Sequence, residues 1–187
     1  MKSPLYFITR PLEGKRYSNT KNIAGVEFIF NTSEEEHKFS NREAVVIETP
    51  LWYKGPIVPG DTLLVHHNVF KFYNDMKGRR KSGKSFFKED IFLIDNEQFY
   101  MYKHDGEWHA YDRYCFVKPM PAVESYIKKP FSEEPLMGIM AYPNEYLLSQ
   151  GVKAGDSVMF APDSEYEFNV DGEKMYRIFD HQITAVV

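Results

Sequence analysis

With one cysteine in 187 residues, Cys115, the chain has no internal disulfide to make, which fits a reducing compartment. Alanine and leucine number only 8 and 9, so two of the strongest helix formers are scarce. No apolar stretch approaches the roughly 20 residues that cross a bilayer as a helix. Residues 1–14 hold a single apolar run at 5–8, too short for the core of a secretion signal. Basic charge is not in excess either: 23 Lys and Arg stand against 27 Asp and Glu, for a net −4. Wholesale binding to nucleic acid is therefore not expected. These absences describe a soluble, cytoplasmic protein of one ordinary domain or two small ones, with no membrane partner.

What is abundant is aromatic. Two Trp, 13 Tyr and 15 Phe make up 16% of the chain, and 11 Gly and 11 Pro cut it into short pieces. Aromatic and β-branched runs between Gly, Pro, Asn and Asp suit pleated surfaces, so the fold class is all-β. Strands are expected over residues 5–10, 26–31, 43–49, 62–70, 91–94, 98–103 and 108–117. A second set is expected over 125–129, 136–142, 157–161, 166–170, 174–179 and 183–187. Helical pattern is confined to a turn at 33–36, where Ser33 precedes Glu36 by three residues, and to 144–150, ended by Gly151.

Short matches recur in one order along the chain. Ile8-Thr9-Arg10-Pro11-Leu12 resembles Phe116-Val117-Lys118-Pro119-Met120. Phe28-Ile29 before Ser33-Glu34-Glu35 resembles Tyr126-Ile127 before Ser132-Glu133-Glu134. Val45-Val46-Ile47-Glu48-Thr49-Pro50 resembles Gly138-Ile139-Met140-Ala141-Tyr142-Pro143. Pro59-Gly60-Asp61-Thr62-Leu63-Leu64 resembles Ala154-Gly155-Asp156-Ser157-Val158-Met159, and Asp105-Gly106-Glu107 resembles Asp171-Gly172-Glu173. The pattern implies a tandem duplication with halves at 1–114 and 115–187. The first half is longer, mainly through residues 71–90, a polar and basic insert that a loop accommodates and a core strand does not.

The second half carries a recognisable series: Gly151-Val152-Lys153-Ala154-Gly155-Asp156-Ser157-Val158-Met159-Phe160, then Val170-Asp171-Gly172-Glu173, then Ile183-Thr184-Ala185-Val186-Val187. It resembles the C-terminal half of GroES-like co-chaperonins, and Arg10-Pro11-Leu12 resembles the opening of that family. The resemblance implies two tandem small GroES-like β-barrels in one chain, a homo-oligomeric ring, and a GroEL-type chaperonin as partner in ATP-dependent folding. It also implies a mobile docking loop with an apolar anchor. Thr20-Lys21-Asn22-Ile23-Ala24 leads into that anchor, at Gly25, Val26, Phe28, Ile29 and Phe30, with Glu27 interrupting it. The internal repeat offers another reading, in which residues 26–31 form a barrel strand and the loop contracts to 34–41 around Phe39.

Gly78-Arg79-Arg80-Lys81-Ser82-Gly83-Lys84-Ser85 matches a phosphate-loop spacing, but that mechanism needs a strand before and a helix after. The preceding residues are polar, and five residues separate Ser85 from Ile91, too few for a helix. Residues 71–90 hold seven Lys or Arg against three Asp or Glu, a net +4 that leaves −8 on the rest of the chain. That insert is either a solvated loop or a basic hairpin touching an anionic partner through Arg79, Arg80, Lys81 and Lys84. His66 and His67, read as neighbours in a strand, would face opposite ways and share no metal ion. His104 and His109 flank a turn without accompanying ligands. Cys115 is expected to act as a small buried apolar residue. No catalytic constellation, metal site or cofactor motif stands out, so the expected protein is not an enzyme. Two alternatives accompany the co-chaperonin reading: an oligomeric assembly scaffold, viral or cellular, and a β-barrel nucleic-acid module using the insert and the aromatics.

Overall fold

A computed structural model describes residues 1–17, 20–23, 26–29, 40–122 and 133–187, with the backbone alone for 20–23 and 26–29. The expected strand at 125–129, the turn at 33–36 and the alternative loop residue Phe39 lie outside the described residues. The chain divides into two compact units, Met1–Glu107 and Trp108–Val187. Both are antiparallel β structures, as the composition leads one to expect. The longest helix described is α1, Glu145–Ser149, capped by the Asn144 side chain, which accepts from the Leu147 N–H. Among the described residues no helix is long and apolar enough to cross a membrane.

The first unit contains β1 (Phe7–Pro11), β2 (Thr20–Ile23), β3 (Val26–Ile29), β4 (Glu43–Glu48) and β5 (Thr62–Val65). It continues with β6 (Phe72–Asn74), β7 (Arg80–Ser82), β8 (Phe86–Lys88), β9 (Ile91–Ile94) and β10 (Phe99–His104). The unit boundary falls at the start of β11, Glu107–Ala110. Within this unit the principal sheet runs β10-β5-β4-β1-β9-β8, and β2-β3 and β6-β7 form separate two-stranded ladders. Alternation sets the core: Ala44 and Val46 of β4 and Phe92 and Ile94 of β9 are buried while their neighbours are not, as a strand with one inner face requires. Aromatic edges fill the interior, with Phe70 against Phe92 at 4.7 Å and Phe7 against Phe99 at 5.3 Å between ring centres, the geometry favoured by ring quadrupoles.

The second unit adds β12 (Tyr114–Pro121), β13 (Glu133–Tyr142), β14 (Ser157–Phe160), β15 (Tyr166–Val170), β16 (Glu173–Phe179) and β17 (Ile183–Val186). Its sheet runs β15-β16-β12-β13-β14-β17. Set beside β8-β9-β1-β4-β5-β10, this is the same order of chain connections. Registers agree as well: Thr9 pairs with Val46 as Val117 pairs with Met140, and Pro11 with Ala44 as Pro119 with Gly138. The two Gly-Asp turns are alike in detail. Gly60 and Gly155 take φ of 102° and 95°, a region open to glycine at little cost. Asp61 Oδ2 accepts from the Val58 N–H at 2.8 Å, and Asp156 Oδ2 from the Lys153 N–H at 2.7 Å.

Two of the sequence matches are corrected by these registers. Val46 and Met140 occupy corresponding places, bonded through their N–H groups to the Asp61 and Asp156 carbonyls, so the match that set Val46 beside Ile139 was one residue out of step. Asp105-Gly106 joins β10 to β11, whereas Asp171-Gly172 joins β15 to β16. The counterpart of the latter is the β8–β9 turn at Glu89, φ 51°. Similar turn chemistry, not a shared position, produced that match.

The insert is also smaller than residues 71–90. β8 corresponds to β15, so the extra chain lies between β5 and β8, where the second unit has only residues 161–165 between β14 and β15. It contains a short β-hairpin, β6–β7, with Phe72 opposite Ser82 and Asn74 opposite Arg80. The ends of the principal ladders, β10 and β8 in one unit and β17 and β15 in the other, are not joined to each other among the described residues.

Candidate functional site

The docking segment expected from the sequence lies on a β-hairpin of its own. Thr20 pairs with Ile29, Lys21 with Phe28, Asn22 with Glu27 and Ile23 with Val26. This ladder is separate from the principal sheet, so Val26–Ile29 is a strand, though one outside the sheet to which the repeat assigned it. Gly25 and Phe30 lie outside the described residues.

The segment departs from β1 and returns to β4 through a neck. Tyr17 forms an isolated antiparallel bridge with Ser40, and the Asn41 N–H donates to the Arg16 carbonyl at 2.9 Å. The Asn41 amide nitrogen donates to the Leu12 and Lys15 carbonyls, and its oxygen accepts from the Glu43 N–H. Tyr17, Ser40 and Asn41 are all buried. One asparagine thus satisfies three backbone groups of the crossing, as polar groups taken out of water must be.

The basic insert packs on the same neck. Arg16 Nε donates to the Phe70 carbonyl at 2.8 Å and Nη1 to Ser82 Oγ at 3.1 Å. The Phe72 N–H donates to the Tyr17 hydroxyl at 2.7 Å. Arg16 and Arg80 each place a guanidinium carbon over the Phe72 ring, 3.5 and 3.6 Å from its centre, an electrostatic attraction to the ring face. Of the four cations expected to meet an anionic partner, Arg80 is therefore engaged with Phe72. Arg79 pairs with Asp75 at 3.4 Å. Lys81 lies opposite Tyr73 in the hairpin and is exposed, and Lys84 lines a cavity beside the hairpin. No helix follows Ser85: the chain continues into β8 and β9, so the phosphate-loop spacing lacks its usual framework. Arg16, Tyr17, Asn41 and Phe72 organise this region. In the sequence they carry no motif, because their partners are backbone groups far along the chain.

His66 and His67 follow the end of β5 and do not alternate on a strand, as the sequence suggested. They lie in a turn with ring centres 4.0 Å apart. Among the described residues no group of three His, Cys, Asp or Glu is placed to hold a metal ion. His104 Nδ1 is 2.8 Å from Asp61 Oδ1, and its pKa is raised by that hydrogen bond and the Asp61 charge. Cys115 is fully buried, its Sγ 3.5 Å from the Ile178 carbonyl. Desolvation pushes its thiol up to about 12, so it is an inert core residue, as its aromatic surroundings suggested.

In the second unit, Asp180 ties three elements together. Its carboxylate accepts from Arg113 Nη2 at 2.7 Å and from Asn144 Nδ2 at 3.0 Å, while Asn144 also caps α1 and donates to the Asp112 carbonyl. No protein-family model matches the chain, and no curated protein matches it.

Proposed function

We propose that the chain is a non-enzymatic, cytoplasmic co-chaperonin-like protein, made of two GroES-like copies, that caps a GroEL-type chaperonin ring in ATP-dependent folding. The observation that carries this reading is the inserted arm. Tyr17 and Ser40 form a bridge, and Thr20–Ile23 and Val26–Ile29, in the segment resembling the family's docking loop, pair in a ladder outside the first sheet. A hairpin attached through a closed neck can offer apolar residues to a partner groove without opening the core behind it. The common strand order and the repeated Gly-Asp turn support the two-copy part of the reading. Gly25, Val26, Phe28, Ile29 and Phe30 are the docking residues in this proposal, and the ring closes through strand edges.

Phe28→Ser tests it. Burying one such side chain is worth roughly 1.5–3 kcal/mol, so ATP-dependent binding to a chaperonin should weaken by about tenfold or more, with the melting temperature unchanged. A lowered melting temperature with undiminished binding would instead make the segment part of the core. β17 stands at the end of its sheet, and this edge favours a second reading, an oligomeric assembly scaffold. That reading gains if the wild-type protein assembles but binds no chaperonin.

A further inference from the structure

The insert does more than lengthen one copy, because it walls two adjoining cavities in the first unit, of about 300 and 320 Å³. Lys71, Tyr73 and Gly83 line the first, and Tyr6 and Asp95 the second, while Lys84, Ser85 and Gln98 line both. The second unit, which passes from β14 to β15 in five residues, has no chain from which to build such walls.

The charges along this space run in order, with Lys71 in the first cavity, Lys84 bordering both and Asp95 in the second. Lys71 and Lys84 share the first cavity, and neither has an ion pair among the described residues. Asp95 lies in the second cavity, where its Oδ1 accepts from the Glu97 N–H at 3.1 Å. Between them is a fixed polar pair. Ser85 is 4% exposed and its Oγ accepts from Gln98 Nε2 at 2.9 Å, while Gln98 Oε1 accepts from the Asp95 N–H at 3.2 Å. These two bonds define the orientation of the Gln98 amide and leave the Ser85 hydroxyl proton for another acceptor. Tyr73, half exposed, supplies an aromatic surface on the cationic side.

Two unpaired ammoniums and a hydroxyl donor are what a phosphoryl group requires, since its oxygens accept several charge-assisted hydrogen bonds at once. An acceptor carboxylate at the far end suits hydroxyl or amino donors on the rest of the same molecule. Each cavity is at the lower end of the volume range of small-ligand sites, and the two adjoin, so a bare ion would leave most of the space empty. We propose that this cleft binds an organic phosphate of nucleotide size, its phosphate between Lys71 and Lys84 and its donor groups toward Asp95. Gly83-Lys84-Ser85, the end of the phosphate-loop spacing, supplies part of the site without the helix that the usual mechanism uses. This proposal does not depend on the chaperonin reading.

The test is calorimetric titration of the full chain in about 0.15 M salt, an ionic strength that screens diffuse surface attraction. Adenosine monophosphate is the probe, with adenosine, pyrophosphate and malonate as comparisons. Adenosine monophosphate should bind with Kd near or below about 1 mM and adenosine should not bind. Pyrophosphate should be weaker, lacking groups for Asp95, and malonate weaker than adenosine monophosphate. Lys71→Gln with Lys84→Gln should reduce affinity about tenfold or more, whereas Arg79→Gln with Lys81→Gln, outside the cleft, should change it less than about twofold. If the paired variant loses its melting transition, Lys84→Gln alone is read, with about a threefold loss expected. The proposal is overturned if adenosine monophosphate fails to bind, if malonate or pyrophosphate binds as well, or if the outer pair matters as much as the inner.

Discussion

A Cβ built on Gly138 would lie 2.8 Å from the Lys118 carbonyl oxygen and 3.2 Å from Val117 side-chain carbons. Backbone cannot yield as a flexible side chain does, so Gly138→Ala should part the β12–β13 ladder and cost about 1–3 kcal/mol, measured as a lower denaturation midpoint. Asp180 offers a second residue to examine. Burial alone would raise its pKa, but the Arg113 and Asn144 hydrogen bonds outweigh burial and hold it below the ordinary carboxyl value. A carboxylate of depressed pKa contributes stability that is complete above the unfolded value, about 3.9, and is lost as pH falls through the folded one. Asp180→Asn should therefore be less stable at neutral pH by about 2 kcal/mol and show a flatter decline below about pH 4. Denaturation curves for both proteins from pH 7 to pH 2 will reveal the difference, and parallel curves would remove Asp180 from the acid response.

Elements were legible where the alternating pattern and turn chemistry agreed. Arg10-Pro11 and Lys118-Pro119 fall in the same register in both sheets, as their sequences suggest. The match of residues 45–50 with 138–143 failed because Pro50 and Pro143 were aligned: one residue of difference between strand and proline moved β4 against β13, and in a strand one residue exchanges the faces. Gln98 and Gln182 occupy matching places, each accepting from a backbone N–H three residues earlier. That likeness was obscured by the stronger Asp-Gly pair elsewhere. β6 and β7 were not expected as strands because each is only three residues long within a segment rich in Lys and Arg, and contacts with the distant Arg16 and Tyr17 hold the region. For β17, the sheet-end position yields a prediction. Val186 is 52% exposed on that strand, and a lysine on an open edge discourages strand pairing. Val186→Lys should retain its melting temperature but shift light scattering from oligomer toward monomer, and a wild-type monomer at micromolar concentration would defeat the ring.

At the scale of the molecule, the all-β class was written in the aromatic content and the scarcity of alanine and leucine. The ordered repeat suggested halves at 1–114 and 115–187, whereas the compact units meet at Glu107 and Trp108. The neck and the cleft were not legible, since Asn41, Arg16 and Gln98 act through partners brought near only by the fold. The buried thiol gives a reading of the folded chain as a whole. With a pKa of about 12, only about one thiol in ten thousand is ionised at pH 8, and the group is shielded from solvent. Alkylation of Cys115 should therefore follow the opening of its unit, rising with denaturant in step with loss of structure. Rapid labelling under native conditions would contradict the packing around it.

That inertness makes the chain chemically equivalent to a cysteine-free protein while it is folded. A cysteine introduced at the exposed Met76, in the β6–β7 turn, would be its single native attachment point. A fluorophore there would report on the insert, and one on the arm would report on docking, each in an otherwise silent background.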